Sequence, residues 1–156
     1  RIRPVRVSDE DALQDLLYRL SDESAFFRFF GYACTHPRRE VLRLVELDGA
    51  YSVAFVAESL ESEELLGIAR ADADPRSGAA ELGVTIADSW QGKGLGALLL
   101  DSIKQAAKSR GFRGLTAEVL MGNGRMQRLL RRHGFSCSGE LGGPLSFKLS
   151  LSEAAA

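Results

Sequence analysis

The chain has 156 residues, of which 45% are hydrophobic and 26% are charged, as expected for one globular domain with its own core. Its 20 lysines and arginines against 21 acidic residues leave a net charge of −1, which excludes a global attraction to nucleic acid or to an anionic membrane surface. We therefore expect a single domain over residues 1–156 that binds neither nucleic acid nor membrane.

The sequence carries no membrane, secretion or metal-binding signal. No apolar run approaches the roughly 20 residues that span a bilayer, and no signal-peptide core follows the N-terminus, so we expect a cytoplasmic protein. Cys34 and Cys137 lie far apart without metal-ligand spacing, and we interpret both as reduced residues in the core or just below the surface. Because the chain begins at Arg1 rather than Met, we expect a piece of a longer protein or a trimmed chain.

Hydrophobic periodicity predicts helices followed by strands in the first half of the chain. Ser8 resembles a helix cap, and the leucines that follow it recur at helical spacing. The predicted elements are a strand over 2–7, a helix after Ser8, a helix from Ser21 that ends at Gly31, a helix over 38–46, and strands over 51–57, 65–72 and 79–87. Three strands on short connections predict an antiparallel meander.

Two clusters in this half each allow two interpretations. The first is either part of the core or a hydrophobic wall beside a substrate groove, and it consists of Phe26, Phe27, Phe29 and Phe30. The second is either a solvated hairpin tip or an attractor for a cationic partner, and it consists of Glu58, Glu61, Glu63 and Glu64.

Helices and strands alternate in the second half. The predicted elements are a helix from Leu95 that ends near Gly111, a strand over 113–120, a helix over 123–132, and strands over 135–139 and 145–151. A helix that connects two neighbouring strands makes them parallel. The predicted fold class is therefore α/β (α+β), with a central mixed, mostly antiparallel sheet flanked by helices.

The segment over residues 91–96 places three alternating glycines between a predicted strand and a predicted helix. Glycines leave backbone N–H groups accessible, and the helix start adds open donors with a partial positive charge, so the segment is suited to a phosphate or pyrophosphate. The P-loop pattern is absent. The dinucleotide fingerprint matches Gly92, Gly94 and Ala97, with Glu118 about 20 residues beyond, but about ninety residues precede it and it does not directly follow its strand.

Gln91-x-x-Gly94-x-Gly96 resembles the acetyl-CoA motif Q/R-x-x-G-x-G/A of the GNAT superfamily of N-acetyltransferases. The order of predicted elements is also similar to that fold, and 123–126 and 133–135 resemble its fourth helix and sixth strand. Within the superfamily, the segments 20–24, 26–31 and 80–82 resemble bacterial protein lysine acetyltransferases (Pat-like), which are often joined to acyl-CoA synthetase-like or cyclic-nucleotide-binding modules.

The resemblance implies that acetyl-CoA is the cosubstrate. The motif begins at Gln91, and the backbone N–H groups that would hold the pyrophosphate belong to Gly92, Lys93, Gly94, Leu95 and Gly96. Ile86 and Ala87 would pair with the pantetheine arm like an added strand. Three residues keep two interpretations each: Lys93 touches a phosphate or is solvated, Trp90 covers the ligand or packs, and Asn123 reaches the cofactor or only caps a helix.

The implied chemistry needs a neutral amine, because an ammonium group has no lone pair with which to attack a thioester. We expect Glu81 to be the general base, since its side chain points opposite to Leu82, Val84 and Ile86, and burial inside a sheet generally raises the pKa of a carboxylate. The resembling lysine acetyltransferases also use a strand glutamate here. The alternative is a structural, salt-bridged Glu81, and Glu118 is the reserve candidate.

The pattern departs from the family at Leu130, where many GNAT enzymes carry a tyrosine that protonates the leaving thiolate. We place His36 in a loop and His133 at a helix end, and we expect direct acetyl transfer without a metal or a covalent enzyme intermediate. The expected acceptor is a protein lysine, on a substrate such as an acyl-CoA synthetase. A small amine, such as a polyamine or aminoglycoside, and a noncatalytic acyl-CoA-sensing module are the alternatives.

Overall fold

The computed structural model describes residues 1–30, 37–139 and 142–152. Within these ranges the helices are α1 (Glu10–Tyr18), α2 (Asp22–Phe29), α3 (Pro37–Val45), α4 (Leu95–Ser109) and α5 (Gly124–Arg132). The strands are β1 (Ile2–Pro4), β2 (Ser52–Glu58), β3 (Leu65–Ala73), β4 (Ala79–Ile86), β5 (Gly114–Val119), β6 (Ser136–Ser138) and β7 (Leu145–Ser150). Short 3-10 turns, Val7–Asp9 and Asp88–Trp90, precede α1 and follow β4. The predicted order of elements is confirmed.

The described strands form one sheet in the order β1-β2-β3-β4-β5-β7-β6. Strands β2, β3 and β4 make the predicted antiparallel meander, and α4 returns the chain so that β5 lies parallel to β4. The parallel pairing joins residues 79–81 of β4 to residues 114–116 of β5. Beyond Glu81 and Thr116 the two strands part, and a gap opens between their C-terminal ends. The mixed, mostly antiparallel sheet is confirmed.

Alternation along the strands builds a core on each face of the sheet. On β2, Val53 and Ala57 lie on one side, in a core cluster with buried residues of α4 and with Leu130 of α5. Ala54 and Val56 pack on the other side, against buried residues of α1 and α3. The sheet is thus sandwiched between two helical layers, as the sequence periodicity predicts.

The Arg3 network, which we define as Arg1, Arg3, Asp9 and Glu58, fastens the N-terminal segment to the end of β2. The Arg3 guanidinium donates to both Asp9 oxygens at 2.9 and 2.8 Å and to Glu58 Oε1 at 3.0 Å, and Arg1 donates to Glu58 Oε2 at 2.7 Å. Hydrogen bonds from Arg3 and then Arg1 lower the pKa of Glu58 to about 2. Burial raises the pKa of Asp9, but hydrogen bonds from Arg3 and the Arg6 backbone outweigh it, so this pKa is lowered overall. Glu58 is therefore not part of a solvated tip.

Most of the phenylalanine cluster on α2 is not part of the core, although the half-buried Phe29 packs against it. No residue of α2 is buried, Phe26 is 53% exposed and Phe30 is 39% exposed. The core interpretation was wrong for Phe26, Phe27 and Phe30, because α2 lies over β4 beside the gap and not between the sheet and a second layer. Phe27 and Phe30 instead line a cavity, as the interpretation of a groove wall predicts.

Two local predictions were also wrong. Ser8 does not cap α1 but lies within a 3-10 turn, because the Asp9 carboxylate accepts a hydrogen bond from the Arg6 backbone N–H at 2.7 Å and bends the chain there. Cys137 is exposed, because it lies on β6 at the edge of the sheet. The predictions for Gly31, Cys34 and His36 lie outside the described residues.

None of the described helices is long and apolar enough to cross a membrane. Within residues 1–30, 37–139 and 142–152, no group of three His, Cys, Asp or Glu side chains is placed to hold a metal ion.

Candidate active site

The gap between β4 and β5 opens into a cavity of about 1130 Å³. Its walls come from α2, β4, the glycine-rich loop and start of α4, the end of β5, and α5. The parting of the strands therefore brings the glycine-rich loop and the exposed face of β4 into one continuous space.

The glycine-rich loop has open backbone donors. Gly92 and Gly94 adopt φ angles of 73° and 86°, and no atom lies within 4 Å of the place where a Cβ would stand. The N–H groups of residues 92–97 donate to no backbone acceptor in the described part of the chain. A Cβ on Gly96 would lie 3.3 Å from Leu129, so this glycine also allows α4 to approach α5. Open donors at the positive end of a helix are an anion-binding arrangement.

The Gln91 side chain joins three elements around the cavity. Its Nε2 donates to the carbonyl of Ile86 at 3.1 Å and to Ser24 Oγ at 3.0 Å. Its Oε1 accepts a hydrogen bond from Arg125 at 2.5 Å. Gln91 therefore ties the end of β4 to α2 and α5.

Ile86 and Ala87 offer different backbone groups to the gap. The Ala87 N–H donates to Leu66 of the neighbouring chain segment at 2.8 Å, and its carbonyl accepts from Trp90 at 2.8 Å. Because alternate residues of a strand direct their backbone groups to opposite sides, Ile86 directs its own groups into the gap. The Ile86 carbonyl already accepts from Gln91, so its N–H is the more open group, and the pairing of an extended ligand with Ile86 and Ala87 stays a prediction.

Trp90, Lys93 and Asn123 all lie beside the glycine-rich loop or the cavity, and their roles toward a ligand stay predictions. Trp90 is 40% exposed and lines the cavity, as the interpretation of a ligand cover requires. The Lys93 ammonium lies 5.0 Å from the centre of the Trp90 ring, which is a cation–π contact. Asn123 caps α5, since its side chain accepts a hydrogen bond from the Met126 N–H at 3.2 Å. It also lines the cavity.

Glu81 and Glu118 present two carboxylates to the same cavity from neighbouring strands. Glu81 pairs with Thr116, two residues before Glu118 on β5, so both side chains lie on one face of the sheet. Both residues are exposed, and neither carboxylate makes a hydrogen bond or ion pair with a described residue. The expectation of a buried Glu81 was wrong because the gap opens directly beside it, and no ion pair within the described residues supports a structural role.

A family model described as the acetyltransferase (GNAT) family matches residues 16–135 of the chain. The chain belongs to the GNAT acetyltransferase family. It is 35% identical over 136 residues to acetyltransferase PA5475 of Pseudomonas aeruginosa, with 86% of this chain and 73% of that protein covered.

Two solved GNAT structures share this fold. The GNAT domain of S. lividans PAT matches with a TM-score of 0.85 and 28% identity, over 96% of this chain and 89% of that one. A GNAT superfamily phosphinothricin acetyltransferase from Sinorhizobium meliloti, in complex with AcCoA, matches with a TM-score of 0.83 and 20% identity, over 99% and 90% of the two chains.

This GNAT protein is an acetyl-CoA-dependent acetyltransferase, with acetyl-CoA as its cosubstrate. The described residues fit that ligand, because the loop at 92–96 offers open donors suited to a pyrophosphate and the gap beside Ile86 is open to an extended arm. Acetyl-CoA supplies the thioester whose acetyl group is transferred.

The family's tyrosine position offers no acid in this chain. Leu130 is fully buried and belongs to the core beneath α5. His133 follows α5, as predicted, with its Nδ1 3.3 Å from an Asp101 oxygen. A thiolate with a pKa of about 8.5 can leave as the anion without prior protonation, so the missing tyrosine does not exclude catalysis.

Sequence reasoning missed Asp88, which directly precedes the glycine-rich segment. Its carboxylate accepts hydrogen bonds from the Ser21 N–H, the Ser21 hydroxyl and the Ser24 hydroxyl at 3.0, 2.6 and 2.7 Å. Burial raises the pKa of Asp88, but the bonds from Ser21 and Ser24 outweigh it and the pKa is lowered overall. The sequence signal was a pair of serines three apart at a helix start, which reports a cap but not its distant partner.

Proposed function

We propose that this GNAT enzyme transfers the acetyl group to the ε-amino group of a protein lysine, with Glu81 as the general base. The observation that carries the proposal is the pair of exposed carboxylates, Glu81 and Glu118, that face the cavity where β4 and β5 part. Two negative groups without a described cationic partner attract an ammonium ion and offer it a proton acceptor.

The base is needed because lysine has a reference pKa of about 10.4. Near pH 7.4 roughly one molecule in a thousand is neutral, which is a deficit of about 4 kcal/mol in the barrier. Glu81 would take one proton from the ammonium group, directly or through a water. The neutral nitrogen then attacks the thioester carbonyl, a C–N bond replaces the C–S bond, and the thiolate takes the second proton from nitrogen.

Two further observations support a protein acceptor. The chain is similar to the GNAT domain of S. lividans PAT over 96% of its length. The cavity is bordered by Phe27 of α2 and by the exposed Phe30 that follows it, which offer apolar surface to an acceptor. We extend the proposal to one catalytic domain over residues 1–156 and to an acyl-CoA synthetase as the protein substrate.

Replacement of Glu81 by glutamine tests the base. Glutamine keeps the shape but cannot accept the proton, so kcat should fall by about 10²–10⁴-fold while the KM for acetyl-CoA barely changes. Glu61→Gln is the matched control, because Glu61 is exposed in the β2–β3 connection away from the cavity. Thiol release measures turnover. A Glu81→Gln enzyme within threefold of the original, with chemistry rate-limiting, would transfer the role to Glu118 or to a water relay.

Mass spectrometry tests the acceptor class. The enzyme is incubated with acetyl-CoA and either candidate proteins, including acyl-CoA synthetases, or a panel of small amines. Acetyl-lysine formed in multiple turnovers on a protein supports the proposal. Turnover on small amines alone would show that the lysine assignment is wrong while leaving the acetyltransferase activity intact.

A further inference from the structure

Helix α2 forms one wall of the cavity, and its contact with the core comes from the half-buried Phe29 rather than from a fully buried side chain. None of its residues is buried, yet Phe27 and Arg28 line the cavity beside β4. A helix of eight residues is too short to be stable by propensity alone, so its position depends on tertiary contacts. The residues that make those contacts therefore determine where α2 lies and how it shapes the acceptor side of the cavity.

The N-terminus of α2 is held by a residue of the cosubstrate side. Ser21 caps the helix, with its hydroxyl accepting from the Ser24 N–H at 3.2 Å. The same hydroxyl and that of Ser24 both donate to Asp88 Oδ1, and the Ser21 N–H donates to Asp88 Oδ2. Three charge-assisted bonds to one carboxylate are a strong and directional attachment.

A second attachment comes from the acetyl-CoA motif itself. Gln91 Nε2 donates to Ser24 Oγ at 3.0 Å, so the Ser24 hydroxyl bridges Asp88 and Gln91. Asp88 begins the 3-10 turn and Gln91 follows it, directly before the open donors of residues 92–96. We call Asp88, Gln91, Ser21 and Ser24 together the α2 anchor.

We propose that Ser24, Asp88 and Gln91 are positioning residues that couple occupancy of the glycine-rich loop to the position of α2 on the acceptor side of the cavity. A ligand bound by the loop restricts the motion of the turn that carries Asp88 and Gln91, and their hydrogen bonds to Ser24 then restrict the motion of α2. Ligand binding at the loop would therefore order α2, and by linkage the ordering of α2 would strengthen ligand binding at the loop. The inference rests on the proposed function only in assigning α2 to the acceptor.

Amide hydrogen exchange of α2 tests the coupling without any acceptor, with CoA as the probe. In the original protein, saturating CoA should slow exchange over residues 22–29 by about fivefold or more, the lower end of typical coupling between sites. Ser24→Ala removes the bridge but leaves the glycine-rich loop and the Asp88–Ser21 bonds in place. It should abolish this slowing while changing the CoA dissociation constant less than about threefold.

Two matched variants complete the design. Ser24→Thr keeps the hydroxyl and should retain the slowing. Ser109→Ala removes a hydroxyl at the far end of α4, where it donates only to the Gln105 carbonyl at 3.0 Å, and should also retain it. A purely structural role for Ser24 predicts faster exchange in the variant with the CoA effect intact.

Steady-state kinetics of the same variants gives a second test, because the KM for the acceptor and the KM for acetyl-CoA are measured separately. With whichever amine the enzyme accepts, Ser24→Ala should raise the acceptor KM severalfold and leave the acetyl-CoA KM nearly unchanged. The coupling is refuted if CoA does not slow α2 exchange in the original protein, or if Ser24→Ala retains the full effect. Because the exchange measurement uses CoA alone, it can succeed even if protein lysine proves to be the wrong acceptor.

Discussion

Gly94 and Gly111 lie at opposite ends of α4 and have similar positive φ angles. Their φ angles are 86° and 76°, and neither has an atom within 4 Å of an added Cβ. Alanine at either position therefore introduces conformational strain but no clash. Only Gly94 lies in the loop that lines the cavity, so the pair separates the strain of the substitution from its effect on ligand binding.

The loss of stability in each variant follows from the backbone conformation alone. A left-handed conformation costs an L-residue about 1–2 kcal/mol, and the loss of glycine entropy in the unfolded chain offsets about 0.4–1 kcal/mol. The net destabilisation is therefore about 1 kcal/mol for each variant. In a chain of this size that lowers Tm by about 2–4 °C.

Gly94→Ala should also weaken CoA binding by at least about tenfold, or 1.4 kcal/mol, because the Cβ blocks close approach to the open N–H groups.

Calorimetry measures both quantities on the two variants. Thermal scans should give nearly equal Tm shifts, and CoA titrations should show lost affinity for Gly94→Ala and original affinity for Gly111→Ala. Equal CoA binding by the original protein and a folded Gly94→Ala variant would refute the assignment of the loop as the pyrophosphate site. Unequal Tm shifts would contradict the argument that strain is the only term.

Three further predictions concern stability. Because the pKa of Glu58 is lowered from 4.5 to about 2, the Arg3 network stabilises the fold fully above about pH 4.5 and loses its effect as the pH falls towards 2; Arg3→Leu should flatten this dependence in pH-resolved urea titrations. Gly114→Ala places a Cβ 2.7 Å from a backbone oxygen of Leu149 and should destabilise by about 1–3 kcal/mol in urea unfolding, whereas an unchanged midpoint would mean that β5 and β7 can separate freely. Leu130→Ala should lose about 2–5 kcal/mol in the same assay, and a smaller loss would contradict its placement in the core.

The sequence alone determined the features that depend on neighbours within a few residues. The glycine-rich segment, the cap at Asn123 and the helical spacing of α4 were predictable because their signals lie within one turn or one loop. Strand alternation likewise predicted the two buried faces of the sheet. The family was also predictable, because the acetyl-CoA motif on which the resemblance to GNAT enzymes depends is itself local.

The tertiary structure decided what depends on register between distant segments. The parallel pairing of β4 and β5 stops after Glu81, and only this opens the gap that leaves Glu81 exposed and brings Glu118 beside it. The partners of Asp88 lie 64 and 67 residues away, and Glu58 meets Arg3 across 55 residues. No local pattern encodes such distances, because they are set by how the sheet aligns its strands and where it places α2.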